Sequence, residues 1–264
     1  MPKEATELKD VREEWFDAEK KVKVTFADVT AAAQHLANGH LCGPVAAHYL
    51  AEGLAAAALL AAETEAEDEV VSLQMKCSGP LGGLNVECSG EGGLRGYTEK
   101  KILDDFDGMG KPSDKKVLGD RRIQVTRSLP GRILSQGIST SLDGYLAGSL
   151  QRKAVISLEA SVSDELQVLE ARGVLVEEMP DASGTGVLGA KFKSLAVSER
   201  NILGQLGLAK AELRKSTPLK FACRCSPERA AAMLAALSDE ERKGLPPVVS
   251  VTCHMCGRTF DVKT

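Results

Sequence analysis

The chain has 264 residues, of which 43% are hydrophobic and 27% charged, and its net charge is −4. That balance excludes a disordered chain and leaves enough apolar material for a sizeable core, in one large domain or in a medium domain with a small appendage. Seven cysteines, four clustered near the end and three apart, do not make a secreted disulfide framework; they fit a reducing, cytoplasmic compartment.

In chain order, MPKEATELKD (1–10) is charged and lacks the apolar stretch of a secretory signal. Residues 22–29 are rich in β-formers, and residues 30–62 follow with alanine and leucine at helical spacing. Within them VAAHYLAEGLAAAALLAA (45–62) is interrupted by His48 and Glu52 and dominated by alanine, so it is expected to be a packed helix rather than a membrane span. VVSLQMKCSG (70–79) and GGLNVECSG (82–90) alternate apolar and polar residues around the turn formers Gly79 and Pro80, which predicts two antiparallel strands.

The acidic run DDFDGMGKPSDK (104–115) puts Met109 where a calcium loop needs an oxygen ligand, so a solvated turn is expected. RRIQVTRSL (121–129) and KAVISLEASV (153–162) alternate again, 164–180 contains a further β-rich segment, and SLDGYLAGSLQRK (141–153) has helical spacing. This mixture predicts an α+β core domain, a mixed sheet and helix unit, over residues 1–182. GTGVLG (184–189) matches a dinucleotide-binding glycine pattern, but Pro180 cuts off the preceding strand and no βαβ unit follows, so it is expected to be a flexible junction.

From Leu195 the apolar positions Leu195, Ile202, Leu206, Ala209 and Leu213 mark one helical face, weakened by Gly204 and Gly207. A helical linker over 183–219 is expected, dependent on docking for its stability. Leu195, Ile202, Leu206 and Leu213 are the candidate residues for binding an apolar partner. SPERAAAMLAALSDEERKGL (226–245) predicts one or two short helices, with Ser238 and Glu241 at capping-box spacing, and PPVVSVTC a strand.

The strongest chemical signal is Cys223-x-Cys225, 27 intervening residues, then Cys253-x-x-Cys256. A structural zinc ion takes four soft ligands in a tetrahedron, and two short cysteine turns facing one another supply them. Residues 220–264 are too few for a secure core, so one zinc ion per chain would furnish much of the folding free energy, on the order of 10 kcal/mol. Disulfides within each pair would close loops of one or two residues only, whereas the metal ties Cys225 to Cys253 across 27. Oxidation of the four thiols therefore exchanges a long-range cross-link for two local ones, and the site has the makings of a redox switch.

Arg224, Arg229, Arg258 and Lys220 surround the motif, where solvated basics are the ordinary reading, and His254 is expected to face solvent beside four better ligands. Cys42, Cys77 and Cys88 are expected to be small core or surface residues. His35, His40 and His48 show no ligand spacing, and no Ser/His/Asp arrangement suggests an enzyme.

The motif in its setting, FACRCSPER and VTCHMCGRTF, resembles the redox-regulated chaperones of the heat shock protein 33 family. SGPLGGLNVECSGEGGLRGY (78–97) resembles the family's Gly-Pro-Leu strand pair with its Arg-Gly-Tyr ending, and GYLAGSLQRK (144–153) its Tyr-x-x-x-Ser-x-Gln helix, with Leu150 where the family usually has Glu. The resemblance covers nearly the whole chain.

It implies a cytoplasmic, ATP-independent holdase for unfolding proteins, inactive while reduced and zinc-bound. In the family, oxidants release zinc and pair the cysteines within each motif, the zinc domain and linker lose structure, and an apolar surface opens to clients, usually in a dimer. Carried onto this sequence, Cys223, Cys225, Cys253 and Cys256 are the zinc ligands and redox sensors, while Cys42, Cys77 and Cys88 match no family motif.

Two other readings compete. Residues 191–264 hold 13 Lys and Arg against 7 Asp and Glu, and a basic zinc module can bind nucleic acid, but Phe221 and Phe260 are the only aromatic rings near the motif for stacking. A thiol oxidoreductase acting through Cys253-x-x-Cys256 is disfavoured because no helix follows the motif.

Overall fold

Helix α2 (Pro44–Leu60) is apolar almost all the way round, and a helix of that kind has to be covered on every side. In the computed structural model, which describes residues 10–108, 113–180, 182, 186–199 and 201–263, two β-sheets do this. The first runs in the order β10-β1-β2-β9-β8, from β1 (Val11–Asp17), β2 (Val22–Asp28), β8 (Lys153–Val162), β9 (Val168–Glu178) and β10 (Glu212–Pro218). The second runs β11-β5-β4-β3-β6-β7, from β3 (Val70–Cys77), β4 (Gly83–Ser89), β5 (Gly93–Thr98), β6 (Arg121–Leu129), β7 (Arg132–Ser139) and β11 (Lys220–Phe221). Every pairing is antiparallel except the two-residue parallel contact of β11 with β5.

Alanine makes the sandwich possible. Ala46, Ala47, Ala51, Ala55, Ala56, Ala57 and Ala58 are all buried in α2, and their short side chains let both sheets approach the helix axis. At Gly53 the approach is close: a Cβ there would stand 3.2 Å from a Leu84 methyl. Pro44–Glu63 is also the one helical stretch among the described residues long and apolar enough to cross a membrane, and 89% of its apolar 18-residue window is buried inside the protein.

The expected helix over 30–62 is two helices. Helix α1 (Thr30–His40) ends at Leu41, whose φ of 54° is left-handed, and Pro44 then opens α2 at its first turn, where a missing N–H costs nothing. At the start of α1 the Asp10 carboxylate accepts from the Ala31 and Ala32 N–H groups at 2.8 and 2.7 Å. Strands β3, β4, β6, β8 and β9 and the short helix α4 (Leu142–Gly148) stand where the sequence predicts them, with a further turn of helix, α3 (Asp114–Val117), before β6. Residues 1–9, Met109 of the acidic run, and Gly184 and Thr185 of the glycine pattern lie outside the described residues.

Residues 183–219 depart from the helical expectation. Ile202–Leu206 forms one short helix, α5, which stops at Gly207 in the left-handed region (φ 69°), and Glu212–Pro218 is the strand β10 on the edge of the first sheet. The single helical face from Leu195 to Leu213 is therefore not formed. Its glycine terminates the helix, and the extended ELRKSTP segment finds a strand partner in β1, a preference that helical periodicity does not register. The segment still docks: Val187, Val197, Ile202, Leu206 and Leu208 cover Val22, Val24, Val174 and Val176 on the outer face of the first sheet.

Beyond β11 come α6 (Pro227–Ala235), α7 (Asp239–Lys243) and the hairpin of β12 (Val248–Thr252) and β13 (Thr259–Lys263). Ser238 and Glu241 close the capping box that starts α7: the Glu241 N–H donates to Ser238 Oγ at 3.3 Å and the Ser238 N–H to Glu241 Oε2 at 2.9 Å.

Candidate metal centre

Cys223 and Cys225 lie on the extended chain between β11 and α6, and Cys253 and Cys256 on the turn between β12 and β13. That turn is closed by the Gly257 N–H donating to the Cys253 carbonyl at 2.9 Å, with Gly257 at a φ of 74°. The four sulfur atoms lie within 4.8 Å of one another, with Cys223 Sγ 3.7 Å from Cys253 Sγ and Cys225 Sγ 3.4 Å from Cys256 Sγ. A tetrahedron of sulfurs about 2.3 Å from zinc has edges of about 3.8 Å, so the thiols are already grouped at close to coordination spacing.

The electrostatics fit a dication. Burial opposes a charge on Cys223, but the Cys225 N–H and the neighbouring thiols donate to its sulfur and bring the thiol down to about 7. Burial raises Cys225 and Cys253, and the charge on Cys223 raises both further. One thiolate is easily formed and a second is resisted, a conflict that a divalent cation removes. Two arginines also reach the sulfurs: Arg95 from β5 contacts Cys223 while paired with Glu87 at 2.6 Å, and Arg258 donates to Cys256 while lying 5.3 Å over the Phe221 ring. A tetrathiolate zinc site carries a formal charge of about −2, which these cations offset.

The module is seated on the core by close backbone contacts. A Cβ on Gly39, at the end of α1, would stand 2.7 Å from the Cys256 carbonyl oxygen, and a Cβ on Gly257 would overlap the Gly39 carbonyl at 1.9 Å. The Gly96 N–H donates to the Met255 carbonyl at 3.0 Å. Rings complete the seat: His35 stacks on Phe221 at 4.1 Å, and His254, exposed as expected, lies 5.6 Å from Tyr97.

Cys42 and Cys88 are buried core residues, and burial raises both thiols, Cys88 to about 12; Cys77 is half-buried and also raised. Of the four candidate apolar residues, Ile202 and Leu206 are buried against the first sheet and Leu195 packs at the margin of that cluster, whereas Leu213 is 46% exposed on β10. Residue types around the motif did not single out Arg95 or Gly39, which lie more than a hundred residues away in sequence; the Arg-Gly-Tyr ending of β5 was the one trace of the first.

A four-thiol cluster that could hold a metal ion, in a small module docked on an α+β core, defines the class of protein. The Hsp33 protein family profile matches residues 14–263, and the chain belongs to that family. It is 29% identical to the 33 kDa chaperonin of Thermus thermophilus over 90% of this chain and 80% of that protein, and 29% identical to that of Symbiobacterium thermophilum over 90% and 89%. The fold is similar to the crystal structure of the 33 kDa chaperonin from Thermotoga maritima, with a TM-score of 0.84 at 19% identity, covering 96% of this chain and 94% of that one. The protein is thus an Hsp33-family chaperone whose four-cysteine cluster suits zinc binding and a redox role.

Proposed function

We propose that the chain is a cytoplasmic, ATP-independent holdase, silent while its thiols are reduced and active once they are oxidised. The observation that carries this reading is the convergence of Cys223, Cys225, Cys253 and Cys256 in a module with almost no core of its own. These residues would hold one zinc ion, which supplies the cross-link between the 223–225 and 253–256 segments.

Pairing four thiolates into two disulfides consumes two equivalents of a two-electron oxidant such as a hydroperoxide, reduced to water or an alcohol. It also withdraws the donor set, so the metal leaves and the cross-link with it. Phe221, Met255 and Gly257 then rest on α1 and β5 through one ring stack and a few backbone contacts alone, too few to hold a coreless segment, and the segment joining the module to the core loses its anchor at one end. Release of that segment uncovers Ile202 and Leu206, with Leu195 and Leu213 beside them, as apolar surface for unfolded clients; a homodimer of the oxidised chain doubles this surface.

The test is light scattering from a thermally unfolding client protein, with this protein reduced and zinc-loaded or pre-oxidised, and released zinc read in the same sample. Suppression by the oxidised form alone, with about one zinc released per chain, is expected. Equal suppression by both forms would overturn the switch. The single tryptophan, Trp15, packs against the linker cluster, so its emission should shift to the red on oxidation. In the oxidised form Leu206→Glu should weaken client holding, read in the same assay; unchanged holding removes the linker leucines from the client surface.

A further inference from the structure

In the reduced protein the outer edge of β5 is covered by the zinc module acting as a short strand. The Lys220 N–H donates to the Gly92 carbonyl at 3.0 Å, the Ala222 N–H to the Leu94 carbonyl at 2.9 Å, and the Gly96 N–H to the Met255 carbonyl at 3.0 Å. The Gly92 and Leu94 carbonyls and the Gly96 N–H point away from β4, so the module meets every second residue of the edge, as a paired strand does, while the Gly96 carbonyl is met by His40 Nε2 of α1 at 2.9 Å. The pairing is parallel and only two residues long by register, Lys220 with Gly93 and Phe221 with Leu94. What keeps so short a strand in place is the four-thiol centre that begins at Cys223, one residue past Ala222.

We propose that the edge of β5 from Gly92 to Gly96 is a client-binding surface, and that the occupant is an extended segment of an unfolded polypeptide added as a strand. The inference rests on the redox reading above and gives its switch a second element. β11 and Met255 are the autoinhibitory stand-in, and oxidation removes them by undoing the centre that anchors both. The Gly92 and Leu94 carbonyls and the Leu94 and Gly96 N–H groups then lose their partners, and an open edge of this kind is a template for another chain. A client backbone supplies the missing groups whatever its side chains are, which suits a chaperone that meets many sequences. A folded protein has its strand edges paired or covered, so the same chemistry discriminates unfolded from folded.

The experiment is residue-resolved amide exchange on the full chain, reduced, oxidised, and oxidised with reduced carboxymethylated α-lactalbumin as a permanently unfolded probe carrying a nitroxide label. On oxidation the Gly96 amide should lose protection. With the probe bound it should regain at least about tenfold protection, and the Gly92–Thr98 signals should broaden from the nitroxide while β12 and β13 stay unprotected. A bound probe with Gly96 still exchanging freely, or with no broadening at Gly92–Thr98, overturns the edge as the client site and leaves the redox reading intact. An oxidised protein that forms no complex with the probe overturns the redox reading itself.

Discussion

The core and the four-cysteine module are held together by different forces. Around α2 the core closes on itself, with Leu36, Leu50, Leu54, Leu59, Leu81, Leu94 and Leu146 all fully buried. In residues 220–263 the buried apolar residues are Ala230, Cys256 and Val262, and one of those is a candidate ligand. Burial of a leucine contributes about 1.5–3 kcal/mol of transfer free energy, so the core has an ample packing term and the module almost none. A region without a packed core can be dismantled by removing four ligands while its neighbour stays folded, which is the physical requirement for a switch that does not destroy the protein.

The sharpest way to break this contrast is to remove the metal. Chelation, or Cys256→Ser, is expected to unfold residues 220–263 at a cost on the order of 10 kcal/mol and to leave α2 and both sheets protected. Amide exchange checks this, and simultaneous loss of core protection would show that the two regions are one cooperative unit. Next in size, Leu54→Ala in α2 should cost about 2–5 kcal/mol of core stability and lower Tm, with zinc affinity of the reduced protein unchanged in a chelator titration.

A smaller effect probes the seat between the regions. Gly39→Ala sets a Cβ 2.7 Å from the Cys256 carbonyl oxygen, and since backbone cannot yield as a side chain can, undocking by about 1–3 kcal/mol should outweigh the alanine's gain in helix propensity. Partial holding by the reduced, zinc-loaded variant is the expected result; a silent variant would show that the seat does not control activity.

The smallest effect belongs to the core alone. Glu63 is half-buried, which opposes its charge, but Arg152 at 2.9 Å and Lys23 at 3.0 Å outweigh that and depress its carboxyl to about 2. A depressed acid contributes stability that is complete above its unfolded value of 4.5 and is lost as pH falls toward 2. After discount for partial exposure this is about 1–2 kcal/mol, measurable as a loss in denaturant midpoint that Glu63→Gln removes.

The sequence by itself determined the four-thiol set, the buried alanine helix, the strand pair around Gly79 and Pro80 and the capping box at Ser238, because each is written in spacings of a few residues. Strands β1, β7 and β11 carry little alternation of their own, and Leu213 of β10 falls at helical spacing from Leu206. Their strand state comes from the partners they meet across the sheets, for β10 the backbone of β1 two hundred residues earlier. The same holds at the site. The ligands were legible in the chain, whereas Arg95 beside Cys223, Gly39 beneath Cys256 and the covered edge of β5 were decided only when the module docked, since hydrogen bonds and close backbone contacts between distant segments leave no periodicity to read.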